Sequence, residues 1–189
     1  MDPGSGGTVG RVHTIRLDPL GEEHLDGLAA LVDDPDVQRF TRVPVPPPPD
    51  MPRRWLARYE QGRLDGSCEG FAVVDRGTGA FLGLALAPAI DQEGRTAELG
   101  YVVAPGARGR GVASAALSQL TDWALSELGA LRLELIIDVD NAASKRVAGR
   151  CGYEREGMLR SVHVKQGLRA DVEMWARLAE RRIGYTQAE

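Results

Sequence analysis

Apolar positions change their spacing several times along the chain, and each change marks a predicted element. "RVHTIRL" (Arg11 to Leu17) carries Val12, Ile15 and Leu17 as its apolar positions and is followed by Asp18-Pro19, which predicts a strand and its stop. In "EEHLDGLAALV" the residues Leu25, Leu28, Ala29 and Val32 fall on one helical face behind an acidic first turn, which predicts a helix. "VPVPPPPDMP" fits neither a helix nor a central strand, because proline lacks an N–H and fixes φ. It is an extended connector, serving either as a plain linker or as one wall of a cleft. "PRRWLARYEQGRL" then predicts a short helix with proline at its start.

Beyond this point strand patterns dominate. "GFAVVD-RGTG-AFLGLALAPAI" predicts two strands around a glycine-rich hairpin turn, and "RTAELGYVVA" (Arg95 to Ala104) a third, ended by Pro105-Gly106. Ala113, Leu117, Leu120, Ala124 and Leu128 recur at helical spacing. Leu131, Leu133, Leu135 and Ile137 alternate in "LRLELIID", and "NAASKRVAGRCG" runs from a capping asparagine to Gly152 as a short helix. Two apolar segments follow, near Tyr153 to Leu159 and Ala170 to Leu178. This order fits an α+β fold with a mixed, mostly antiparallel central sheet and helices on both faces. No repeat or second domain is visible. The reading is one domain over 12–178, with a flexible tail at 1–11 and another at 179–189.

Composition narrows the function classes. The 189 residues carry a net charge of −4 with acids and bases intermixed, which disfavours a nucleic-acid module. Cys68 and Cys151 are too few for a disulfide framework and fit a reducing, cytoplasmic setting as idle thiols. His13, His24 and His163 lack ligand spacing, and neither C-x-x-C nor H-E-x-x-H occurs, which argues against a metal. "MDPGSGGTVG" has neither the charged start nor the apolar core of a signal peptide, and no apolar run approaches membrane-spanning length.

The chemistry concentrates in "APGARGRGVASAAL" (Ala104 to Leu117), where glycines and arginines alternate as a helix begins. The first four N–H groups of a helix lack internal partners, and its start carries partial positive charge. Gly109 and Gly111 allow close backbone approach, while Arg108 and Arg110 add forked donors. Such a combination suits an anion, with phosphate the usual occupant; the alternative is an exposed turn with no ligand. "GRGVAS" meets only part of the dinucleotide pattern and follows antiparallel strands, so a Rossmann site does not fit, and no P-loop motif exists.

"ELGYVVAPGARGRGVASAAL" followed by "NAASKRVAGRCGYEREGMLR" resembles the GNAT superfamily of acyl-CoA-dependent N-acyltransferases, and more narrowly its RimJ/RimL-like branch of ribosomal-protein N-acetyltransferases. The coenzyme A signature [RQ]-x-x-G-x-[GA] is met by Arg108, Gly111 and Ala113. The resemblance covers Val12 to about Leu178 and implies a central sheet of about seven strands. It implies that the strand before the loop splays from its neighbour at a bulge to admit the pantetheine arm. Tyr101, Val102 and Val103 would then pair with the arm, and an amide near Val102 or Val103 would polarise the thioester carbonyl. The backbone of Arg108, Gly109, Arg110, Gly111, Val112 and Ala113 would cradle the pyrophosphate, with Asn141 and Ser144 on the facing helix.

The implied reaction is direct attack of an amine on acetyl-CoA, with no metal. An α-amine titrates at about 7.7–8.0 and lysine at about 10.4, so an N-terminal amine needs less help to become neutral. The resemblance places Glu98 at a general-base position; the alternative is a strand carboxylate paired with Arg95 or another cation. Many relatives carry a tyrosine acid where this chain has Ala148, and the resemblance transfers that role to Ser144. A plain helix-surface serine is the other reading. Tyr153 is expected to begin a strand and pack. Phe40, Trp55 and Trp175 are core candidates by default, with Trp55 also a candidate lid over the acceptor and Phe40 a further acceptor-side candidate. "SVHVKQGLRADVEM" resembles the family's last hairpin, which makes His163 and Lys165 acceptor-side candidates and a homodimer partner possible in that region. The expectation is a cytoplasmic acetyl-CoA-dependent N-acetyltransferase acting on a protein N-terminus or a small amine, without nucleic-acid or membrane partners. The competing class is a catalytically silent acyl-CoA sensor.

Overall fold

The computed structural model describes residues 14–165 and 167–179. The expected tails fall outside the described residues apart from Ala179, as do Arg11, Val12 and His13 of the first expected strand. In chain order the elements are β1 (Ile15–Pro19), α1 (Leu25–Val32, entered through a 3-10 turn at Glu22–His24), α2 (Pro35–Phe40), α3 (Met51–Asp65), β2 (Glu69–Asp75), β3 (Phe81–Asp91), β4 (Thr96–Val103), α4 (Val112–Ser126), β5 (Arg132–Asp138), α5 (Ala142–Arg150), β6 (Glu154–Lys165) and β7 (Leu168–Leu178).

The strands form one seven-stranded sheet in the order β1-β2-β3-β4-β5-β7-β6. Pairing is antiparallel except between β4 and β5, which α4 connects as a crossover. Helices cover both faces. On one face α4 lays Ala116, Leu117, Leu120 and Ala124 over Ala97 and Leu99 of β4 and Leu133, Leu135 and Ile137 of β5. On the other, Leu28, Leu31 and Val32 of α1 and Leu56 and Tyr59 of α3 pack with Ala72, Leu84 and Val102. The period-2 alternation of β4 therefore feeds two separate cores, as a central strand must. Among the described residues no helix is long and apolar enough to cross a membrane.

Three local expectations change. β1 ends at Pro19, so Asp18 and Pro19 are its last two positions and do not lie beyond it; Pro19 sits opposite Phe71. β1 is a sheet edge, where a missing N–H removes no interior ladder bond. Leu131 does not belong to the buried row of β5; it precedes the strand and is 49% exposed. The helix α2 was not legible, since six residues are too few for helical periodicity to show. Its signal is a start signal: the Asp34 carboxylate accepts from the Val37 N–H at 3.0 Å, and Pro35 holds the first turn.

Candidate active site

The sheet opens in its middle. β4 and β5 pair at Thr96–Arg132, Ala97–Leu133 and Glu98–Glu134, and pairing ends there although both strands continue. The expected splay is thus present between β4 and β5. The associated bulge lies on the opposite side of β4: between Leu86 and Ala89, β3 holds one residue more than β4. Pro88 stands in this bulge, where its missing N–H does no harm.

Which backbone groups face the opening follows from the ladder. Ala104 donates its N–H to Leu82 O at 2.8 Å, so Gly100 and Val102 also direct their backbone groups toward β3. Tyr101 and Val103 direct theirs into the split. This corrects the expectation for Val102, whose N–H and C=O belong to the β3 ladder and whose side chain fills the α1/α3 core. The Tyr101 ring packs on the α4 side, and its hydroxyl donates a long 3.5 Å bond to Ser144 O on α5. Burial pushes the Tyr101 phenol up to about 12, so it stays a neutral donor.

The loop after β4 makes one 3-10 turn (Pro105–Ala107) and then reaches α4 through Gly109 and Gly111, at φ +74° and +79°. Only glycine takes those angles without strain. A Cβ built on either would meet nothing within 4 Å, so the space before them is open. Among the described residues no protein group accepts from the N–H groups of Gly109 through Ser114. Two glycine bends and a bare helix start leave a concave set of donors that fits a diphosphate.

The two loop arginines differ. Arg110 is exposed, and among the described residues its guanidinium has no hydrogen-bond or ion-pair partner. The Arg108 guanidinium, in contrast, has an acceptor at each of its three nitrogens. It grips Asp34 Oδ1 through Nη2, Asp36 Oδ2 at 2.8 Å through Nη1, and the Val103 carbonyl at 3.2 Å through Nε. The fork expected to donate to phosphate points at α2 in this structure. The Asp34 side chain is only 9% exposed. Burial alone would raise its carboxyl, and the Arg108 and Val37 hydrogen bonds more than reverse this, holding it below the usual carboxylate range.

On the facing helix, Asn141 is the N-cap of α5: its Oδ1 accepts from the Ser144 N–H at 3.0 Å. The Ser144 hydroxyl is half-buried and lies within hydrogen-bonding reach of the Tyr101 phenol. Ala148 is buried, and Tyr153 packs in the same core with its hydroxyl 2.8 Å from Thr121 Oγ1.

Glu98 closes the split from the α3 side of the sheet. No described cation lies within ion-pair distance, and Arg95, the expected partner, hydrogen-bonds Gly129 O instead. Burial raises the Glu98 carboxyl; Arg42 opposes this, the neighbouring Glu134 adds to it, and Arg58 opposes it again. Glu134 is itself held by Arg132 at 2.6 Å, which also clasps Glu156. Sequence reasoning missed Asp34, Asp36, Arg42, Arg58 and Glu134. Glu134 left a trace as a polar position alternating with the buried leucines of β5, and Asp34 left one as a capping residue ahead of Pro35.

The remaining candidates disperse. Trp55 packs against the α1/α3 core, and Phe40 ends α2 beneath the Arg39 guanidinium, 4.8 Å from the ring centroid. Trp175 packs on the α4-side core and donates to Glu173 at 3.0 Å. His163 sits half-buried on the outer strand β6, opposite Ala170. The Lys165 side chain lies outside the described residues. Among the described residues no group of three or more His, Cys, Asp or Glu is placed to hold a metal ion.

Comparison with known proteins agrees with this geometry. The model of the acetyltransferase (GNAT) domain matches residues 14–154. A Bacillus licheniformis protein described as the uncharacterized N-acetyltransferase p20 is 26% identical over 170 residues, covering 90% of this chain and 96% of its own. The solved structure of RimL, a ribosomal L7/L12 α-N-protein acetyltransferase in complex with coenzyme A, has a TM-score of 0.79 at 23% identity, covering 87% of this chain and 94% of that one. The spermidine N-acetyltransferase of Vibrio cholerae, solved with coenzyme A and spermine, has a TM-score of 0.76 at 21% identity, covering 87% and 95%. With three quarters of its length inside one family model, the chain belongs to the GNAT family of acetyltransferases and is an acetyl-CoA-dependent N-acetyltransferase.

Proposed function

We propose that this chain acetylates a primary amine, either a protein N-terminal amine or that of a small molecule, by direct attack across the β4–β5 split. The observation that carries the reading is the end of β4–β5 pairing at Glu98–Glu134, on the strand that leads straight into the open-amide loop. Acetyl-CoA supplies an activated acetyl thioester when bound. The amides of Gly109 through Ala113 take its diphosphate, with Arg110 as the free cation beside them. Tyr101 and the Val103 N–H offer backbone partners to the pantetheine arm, and the Val103 N–H is the oxyanion donor.

Glu98 takes the proton of the incoming ammonium group, directly or through one water, because burial keeps its carboxylate basic. The Ser144 hydroxyl donates to the departing thiolate from the α5 side. The likeness to RimL and to the spermidine acetyltransferase makes a protein α-amine and a polyamine the first acceptors to try. A panel of N-terminal peptides, polyamines, amino acids and amine-bearing antibiotics, assayed with acetyl-CoA, identifies the class. Coenzyme A release on none of them, even at high pH, together with tight coenzyme A binding, would overturn the catalytic reading in favour of a sensor.

A further inference from the structure

We infer that Arg108 is a positioning residue of the cofactor loop, which it locks to α2 through Asp34 and Asp36, and that it does not contact the cofactor phosphates. The inference rests on the reading of the loop as the diphosphate cradle. Each guanidinium nitrogen already has an acceptor: Asp34, Asp36 and the Val103 carbonyl. Turning the fork toward a diphosphate would strip a carboxylate that is 9% exposed of its cation. A largely buried charge left without its cation is unfavourable, so the existing arrangement opposes the swing.

The same contacts explain how a loop with two left-handed glycines keeps one shape. Gly109 and Gly111 are individually permissive, and their amides have no protein acceptor to hold them. Arg108 precedes both. It anchors the loop at its entry to the end of β4 through Val103 and to the start of α2 through the two aspartates. One of the two lone pairs of the Val103 carbonyl is thereby occupied, while its N–H stays available to the split. Asp34 serves twice, capping α2 through the Val37 N–H and holding Arg108. The loop is thus tied to the segment that leads into the proline connector.

Titration calorimetry of the full chain with coenzyme A tests this. Asp34→Asn keeps the capping oxygen and the shape but loses the charge. It should weaken coenzyme A binding about tenfold, or ~1.4 kcal/mol. Arg108→Gln should do the same, and the double variant should be no weaker than Arg108→Gln alone, since both remove one link. Arg108→Gln should also keep the wild-type slope of log Kd against log salt, which a lost phosphate contact would flatten. Asp34→Asn binding as tightly as wild type, or tighter, overturns the inference, as does a flattened slope. Gly111→Val separates the two ideas: wild-type-like binding there sinks the cradle itself, whereas loss there with insensitivity at Asp34 sinks only the lock.

Discussion

The proposed proton chemistry falls to Glu98 and Ser144, and each carries its own test. Glu98 works as a base only when ionised, and burial raises its carboxyl, so the rate should climb as pH rises through that raised value. Glu98→Gln should lower kcat/KM by about 10²-fold or more and remove this acidic limb, as a pH–rate profile will show. Stability moves the other way. The folded chain holds the Glu98 proton to higher pH than the unfolded chain does. This contribution is complete below the ordinary carboxylate range and lost as pH rises through the raised value. Glu98→Gln should therefore be more stable than wild type above that window in urea titrations. Ser144→Ala should lower kcat at least about tenfold while leaving the Kd for coenzyme A near wild type. A proportional loss in both would recast Ser144 as a binding residue.

Between residue and molecule, the loop and the helix behind it divide the work. α4 is anchored by Leu117 and Leu120, both fully buried between the helix and the sheet. Leu120→Ala should cost about 2–5 kcal/mol of stability by leaving a cavity, measurable by denaturant unfolding. The loop is held by few contacts but shaped by two glycines. Gly111→Val forces a β-branched residue to φ +79°, where the strain is about 1–2 kcal/mol, and fills the space before the amides. Coenzyme A binding should be lost while circular dichroism stays native-like. An unchanged Kd would mean that the diphosphate sits elsewhere.

The molecule as a whole gathers its two cores around a single sheet, and the split interrupts that sheet only after three paired positions. Ligand bound across the split should therefore stabilise both halves together. At a coenzyme A concentration of 100 Kd the gain is about 2.7 kcal/mol, which for a domain of this size raises Tm by roughly 5–10 °C. Differential scanning calorimetry should show one transition that moves as a unit, and no movement in Gly111→Val.

Much of this was written in local sequence. Spacing placed α1, α4 and β5, because amphipathic periodicity is a property of each segment by itself, while proline and turn signals placed α3, expected to be shorter than its 15 residues, and the strands β2 to β4. The glycine-arginine loop and the Asn141 cap were equally legible, since positive φ and helix starts have their own residue preferences. Tertiary structure decided the rest. The pairing of Val102 with β3, the engagement of Arg108 with Asp34 and Asp36, and the influence of Arg42, Arg58 and Glu134 on Glu98 each join segments far apart in the chain. Their partners are chosen by strand register and helix packing, and no local pattern encodes those. Sequence set which groups this protein owns; the fold set which of them are free to act.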